Sequence, residues 1–392
     1  MNSRERVLAA LRGDPVDRPA VINPGSIMTV ELMDFVNASF PDACRDPELN
    51  ARLASTGFNE LGFDSTYHHY TIVQESSALG CEIQWEQKDN WPTVVMSRPI
   101  WDHPDQIKIP PGFLEHPDTL CVLKATEILK TEIGAEACIV GKTMGPWSLG
   151  YHTFGVQNFL LMSIDDPELT KIALNKLKEI SVLFGLAQIA AGADVLMFPD
   201  HATGDLVSGE YYKRFLLELH QEMEERIPCP IILHICGNTL DRLDYISQTG
   251  MAAFHIDSKN DPHEAMKIAN KRIQLVGNLN NPELLYSKEP EDIRKVVFNC
   301  LDAGMNLIAP ECAIPLATKL QNLIEILPRS KLRRFVQIGS SDEYGDAPSP
   351  QHEEMREKPI SPYSLAKTSS THLLQMLHRT ECYPAVIPVS YT

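Results

Sequence analysis

Eight short apolar runs, each followed by a longer segment of helical period, predict an α/β chain: a (β/α)8 TIM barrel over residues 1–328 and a partial Rossmann-like fragment over 329–392. Two further observations agree. Polar residues recur just after the runs, where a barrel carries its chemistry, and the composition changes after Leu327-Pro328.

The opening MNSRERVLAALRG has the pattern of an amphipathic helix with charges inside it, unlike a signal peptide. The expected strands are AVIN (20–23), LGFDS (61–65), CIVG (138–141), DVLMF (194–198), IILHI (231–235), AAFHI (252–256), IQLV (273–276) and NLI (306–308), all short and rich in β-branched or apolar residues. Between the fourth strand and its predecessor, Asp166-Pro167 opens a long helix by N-cap and first-turn proline, and Gly192 stops it. The residues after the strands are Asp64, Gly145-Pro146-Trp147, Asp200-His201, His234 with Cys236, Asp257, Asn278 and Cys312.

The 392 residues carry 35 Lys+Arg against 52 Asp+Glu, a formal charge of −17 that speaks against nucleic acid and anionic membranes as partners. The least charged stretch, 143–164, is broken by Gly, Pro, His, Gln and Asn, so no membrane span is expected. Nine cysteines at irregular spacing suit free thiols in the cytoplasm better than a disulfide framework. No oligomeric state is read from the sequence.

In CPIILHIC, alternation sends His234 and Cys236 to the same side of a strand end. Cys312 follows a late strand in NLIAPEC, and neighbouring strand ends are expected to bring it to the same mouth. One imidazole and two thiolates make three soft ligands, the set of a catalytic zinc with a vacant position. A plainer reading makes the cysteines small buried hydrophobes and His234 a satisfied strand-end histidine. Gly237-Asn238-Thr239 favours the metal by starting a helix beside it. An open zinc position suits thiol alkylation, hydrolysis or ether cleavage.

At this point the chain resembles the methylcobamide:coenzyme M methyltransferases, the corrinoid-dependent branch of the uroporphyrinogen decarboxylase superfamily. The likeness covers about residues 3–327 and rests on RERVLAALRGDPVDRPAV, LGC (79–81), GPWSLGYH (145–152), GEYYKRF (209–215), LHICGNT (233–239), VGNLNNPELL (276–285) and APEC (309–312). The resemblance implies that His234, Cys236 and Cys312 hold Zn2+ and that the zinc holds an acceptor thiol. That thiol attacks the methyl group of methylcobalamin, a corrinoid presented by a carrier protein. Glu311 and Asn280 depart from the coenzyme M pattern, and the segment 199–210 is closer to other corrinoid enzymes, so the acceptor or donor and the direction of transfer stay open. The decarboxylase itself is disfavoured, because INPGSIMTVELMDF lacks the arginines that grip a polycarboxylate tetrapyrrole.

Within this reading, Asp200 and His201 are expected as an acid/base pair or as partners of a ligand, and Asp257 as a group that fixes or polarises substrate, or caps the next helix. Asp64 is expected to line the pocket, and Tyr151 and His152 to contact the corrinoid or acceptor. The cluster Tyr67-His68-His69-Tyr70 reads as pocket wall or plain surface, and Glu75 as a minor candidate.

The fragment 329–392 has eight Lys+Arg and seven Asp+Glu, near +1 against about −18 for the rest. SSDEYG and SPYSLAKTSS resemble the extended short-chain dehydrogenases that act as nucleotide-sugar epimerases and dehydratases. There Tyr363 and Lys367 would be the acid/base pair, and Ser341 would orient substrate. No Gly-rich dinucleotide turn precedes them, so a fusion remnant, a truncated frame or an interaction role is expected, without dehydrogenase activity.

Overall fold

The computed structural model describes residues 1–327 and, beyond them, residues 335–336, 344–346, 355, 357–381 and 385–386. The chain divides into two compact units, Met1–Leu327 and Pro328–Thr392.

The first unit is a ring of eight parallel strands: β1 (Ala20–Val21), β2 (Ser65–Tyr67), β3 (Cys138–Lys142), β4 (Val195–Pro199), β5 (Ile231–His234), β6 (Ala253–His255), β7 (Gln274–Leu279) and β8 (Leu307–Pro310). From β2 to β8 the strands pair in sequence order, and β8 returns to β1 with Ala20 opposite Leu307. At the β1–β2 seam the Asp64 N–H donates to Val21 O (2.7 Å) and the Asn23 N–H to Ser65 Oγ (3.0 Å). These bonds nearly close the barrel.

Alternation along each strand sends Cys138, Val140, Val195, Met197, Ile232, Ala253, Val276, Leu307 and Ala309 into one interior cluster. The helix Ser3–Arg12 belongs to that cluster through Val7, Ala10 and Leu11, which plug the amino end of the barrel. Each large aliphatic side chain so buried contributes about 1.5–3 kcal/mol. Asn2 starts this helix, its Oδ1 accepting from the Glu5 N–H (2.8 Å), and Gly13 ends it at φ +75°.

The second strand corrects the sequence reading. Leu61 and Phe63 are buried, but their N–H groups donate back to Thr56 and Gly57, so 61–64 is the exit of the helix Pro47–Asn59, turned at Gly62. The strand starts at Ser65, and Asp64 therefore lies at the amino end of the barrel, opposite the mouth. There its carboxylate accepts from Arg6 Nη1 (2.6 Å), Arg18 Nη1 (2.7 Å) and the Val21 N–H (2.9 Å). It ties the plug helix to the first strand instead of lining a pocket.

The long helix runs Pro167–Ala191, with Asp166 accepting from the Leu169 N–H (3.0 Å) and Gly192 following at φ +121°. A small antiparallel pair, Ile83–Gln84 with Thr93–Val94, has no signal in the sequence because each strand is two residues long. Among the described residues no helix is long and apolar enough to cross a membrane. The second unit contains a parallel pair, Phe335–Val336 with Ala385–Val386, and the helix Pro362–Glu381. Tyr363 and Lys367 lie one turn apart on that helix, the ammonium 5.9 Å from the ring centroid, while Ser341 falls outside the described residues.

Candidate functional site

The carboxyl end of the barrel gathers three of the residues singled out above. His234 closes β5, and its Nε2 lies 2.9 Å from Cys236 Sγ, which in turn lies 3.7 Å from Cys312 Sγ. β5 and β8 are not neighbours, since β6 and β7 stand between them. Cys236 and Cys312 meet because both follow the strand ends into loops that lean over the mouth. The Nδ1–H of His234 donates to His255 O (3.2 Å), which leaves the Nε2 lone pair facing the sulfurs. His255 packs beneath it at 4.6 Å between centroids, and its Nε2–H donates to Pro310 O (2.7 Å).

The donor set suits zinc. Two sulfurs on one tetrahedral ion with bonds of about 2.3 Å lie roughly 3.8 Å apart, close to the spacing found here. The imidazole sits nearer to Cys236 than the roughly 3.5 Å such an ion sets, so it would shift outward slightly. The Cys236 S–H donates to Cys312 and holds the Cys312 thiol well below its ordinary pKa against the opposing effect of burial; His234 adds to the same effect. That hydrogen bond, with burial, pushes Cys236 up. Burial works against protonation of His234, but Cys312 outweighs it and raises the ring.

His201 comes closer to this cluster than the sequence indicated. Among the described residues, the ligand atoms of His201, His234 and Cys236 all lie within 4.8 Å of one another. Its backbone N–H donates to Ser148 Oγ (2.8 Å) and its Nδ1 faces the same oxygen (3.2 Å), leaving Nε2 toward the mouth. Burial lowers its pKa.

Asp200 does not pair with His201. One carboxylate oxygen accepts from the Ser148 N–H (2.8 Å), in the first turn of the helix Pro146–Phe154, and the other meets His220 Nε2 (3.0 Å), whose Nδ1 meets the Tyr212 hydroxyl (2.9 Å). All three side chains are fully buried, and Asp200 anchors the helix start. Gly145 makes room for it. A Cβ at this position would stand 2.3 Å from Asp200 Cγ, so Gly145→Ala is expected to cost about 1–3 kcal/mol, read as a lowered Tm by calorimetry. An unchanged Tm would show that Asp200 is not wedged against the helix start.

Asp257 is likewise turned to backbone, accepting from the Gly237 N–H (2.8 Å) and the Lys259 N–H (2.9 Å). It fixes the turn that carries Cys236. Glu311, which precedes Cys312, accepts from the Ser258 and Asn281 N–H groups (both 2.9 Å) and ties three loops of the mouth together. His152 is pinned to Ser76 Oγ through Nδ1 (2.7 Å), and burial lowers it to about 3. Tyr151 lies edge-on to Trp147 with centroids 6.1 Å apart, its hydroxyl pushed up to about 12 by burial. Neither is brought into the sulfur cluster. Tyr67, His68, His69 and Tyr70 are all buried, so they are not plain surface. The motifs GPWSLGYH and GEYYKRF contain Ser148 and Tyr212 but assign them no role, and His220 lies in no motif; what joins them is Asp200, 52 residues from Ser148 and 20 from His220.

Residues 2–328 match the family model described as uroporphyrinogen decarboxylase (URO-D). The chain belongs to the uroporphyrinogen decarboxylase family. It is 31% identical over 322 residues to the methylcobamide:CoM methyltransferase MtaA of Methanosarcina barkeri, covering 82% of this chain and 95% of that one. Against the methylated-thiol–coenzyme M methyltransferase of Methanosarcina mazei the identity is 29%, over 82% of this chain and 87% of the other. A solved methyltransferase from Methanosarcina mazei superposes with a TM-score of 0.80 at 29% identity, covering 83% of this chain and 97% of that structure. Within the family this chain is therefore a methyltransferase. Residues 317–390 match marginally the NAD dependent epimerase/dehydratase family.

Proposed function

We propose that this methyltransferase moves a methyl group between a methyl-corrinoid on a carrier protein and the thiol of a small acceptor such as coenzyme M, with His234, Cys236 and Cys312 holding Zn2+. The observation that carries the reading is the convergence of one imidazole and two thiols, 76 residues apart in sequence, on one point at the barrel mouth. When bound there, zinc lowers the pKa of a coordinated thiol and presents it as a nucleophile. The chain's own residues orient the donors: His255 O and Pro310 O set the two imidazoles, Asp257 sets the Cys236 turn, and Glu311 sets the loop of Cys312. The acceptor sulfur forms its bond to the methyl carbon as the carbon–cobalt bond breaks, and the electron pair stays on cobalt as Co(I). His201, neutral and directed at the mouth, is placed to take the proton that the thiol loses. A cytoplasmic setting suits the eight described cysteines, all free.

Incubation of the purified chain with free methylcobalamin tests this directly. Coenzyme M, homocysteine and tetrahydrofolate are offered in turn while Co(I) absorbance is followed. Co(I) release dependent on one of the thiols is expected, and its absence with every acceptor would remove the reading.

A further inference from the structure

Besides His234, the groups able to donate to a metal beside the two sulfurs are Asp257, Glu311, His255 and His201. The first three are held by the protein itself. Asp257 and Glu311 each accept backbone N–H groups through both carboxylate oxygens, and His255 is turned by its Nε2 to Pro310 O. His201 is the exception.

Strand register brings it there. β4 and β5 pair in parallel with Pro199 opposite His234, so the second residues beyond that pair, His201 and Cys236, leave the sheet side by side. Ser148 then sets the ring. Its Oγ accepts the His201 backbone N–H (2.8 Å) and lies 3.2 Å from both Pro199 O and His201 Nδ1. With the single hydroxyl proton given to Pro199 O, the ring donates through Nδ1 and keeps a bare lone pair on Nε2. His234 is set in the same way, through Nδ1–H to His255 O. Two imidazoles thus offer the same nitrogen to one point.

The ligand atoms of His201, His234 and Cys236 all lie within 4.8 Å of one another, whereas donors on one tetrahedral zinc stand roughly 3.3–3.8 Å apart, so the ring has to close in by no more than about 1.5 Å. Its setting permits that. His201 is half-buried in the loop between β4 and the helix Gly209–Phe215, and among the described residues its ring makes one hydrogen bond, to Ser148. His234, by contrast, is fixed within its strand.

We infer that His201 is a fourth zinc ligand, which closes the His234–Cys236–Cys312 site in the absence of substrate and gives up its place to the acceptor sulfur. This rests on the zinc reading above. A thiolate is anionic and softer than a neutral imidazole, so the most loosely tethered nitrogen is the donor it replaces. The freed Nε2 is then the atom that takes the proton of the thiol.

X-ray absorption at the zinc edge of the full, zinc-loaded chain counts the ligands without any turnover. Two sulfurs and two imidazoles are expected in the thiol-free parent, and two sulfurs with one imidazole in His201→Gln. Zinc affinity, read by competition with a chromophoric chelator, should fall at least about 10-fold in that variant. Adding coenzyme M to the parent should change the count to three sulfurs and one imidazole. A single imidazole in the thiol-free parent, or equal spectra for parent and variant, overturns the fourth ligand while the three-ligand site stands. Two imidazoles still bound in the presence of the thiol overturn the exchange. A parent that holds no zinc removes the zinc reading itself, which keeps the two failures apart. Should His201→Gln not fold, the imidazole count of the parent decides alone.

Discussion

Replacing Cys312 with serine is expected to lower zinc affinity at least about 100-fold, more than the 10–100-fold typical of losing a partner behind a ligand. A serine hydroxyl does not deprotonate near neutral pH and offers a hard oxygen in place of a soft sulfur. Cys236→Ser should behave alike, since its Sγ lies 3.7 Å from Cys312 Sγ and both would share one ion. Elemental analysis of purified protein, followed by competition with a chromophoric chelator, gives the measurement. Methyl transfer from methylcobalamin should fall with the metal, while the circular dichroism of the fold stays near that of the parent. Equal zinc in parent and variants would leave the thiols as plain packing groups and take away the proposed chemistry.

Asp64→Asn should act at the other end of the barrel and on stability. The wild-type carboxylate is fully buried between Arg6 and Arg18 and also accepts from the Val21 N–H. Removing its charge leaves the buried Arg6 guanidinium with only the half-exposed Asp17, and loosens both the plug helix and the β1–β2 seam. The expected loss is about 3–5 kcal/mol, in the range for breaking a buried ion pair from one side. Urea denaturation measures it, and zinc content of the folded fraction should be unchanged. A variant as stable as the parent but poor in metal or methyl transfer would restore Asp64 to the pocket.

The two residues show where sequence reading succeeds and where it fails. The apolar run before His234 marks the strand end in the sequence, while Cys236 lies in the loop just past it, where Gly237 and Asp257 fix its turn. LGFDS has the composition of a strand, yet Leu61 and Phe63 are buried as the exit of a helix, so composition alone puts Asp64 at the wrong end of the barrel. An error of four residues at that boundary moved a carboxylate from one end of the barrel to the other. The sequence offers Asp200 and His201 as an acid/base pair or as partners of a ligand. Their side chains diverge, one to His220 and the helix start, the other to Ser148 and the mouth.

Periodicity, punctuation by Asp-Pro and Gly, and the motifs around LHICGNT were enough to determine a parallel barrel and its family, because each depends on residues close together in the chain. The partners of those residues were decided by the tertiary structure. That Cys312 meets Cys236 across two intervening strands and that Asp200 anchors a helix both depend on how loops and strand ends converge in space. Hydrogen bonds and ion pairs act over a few ångströms, and no local pattern records which distant segments the closed barrel brings within that range.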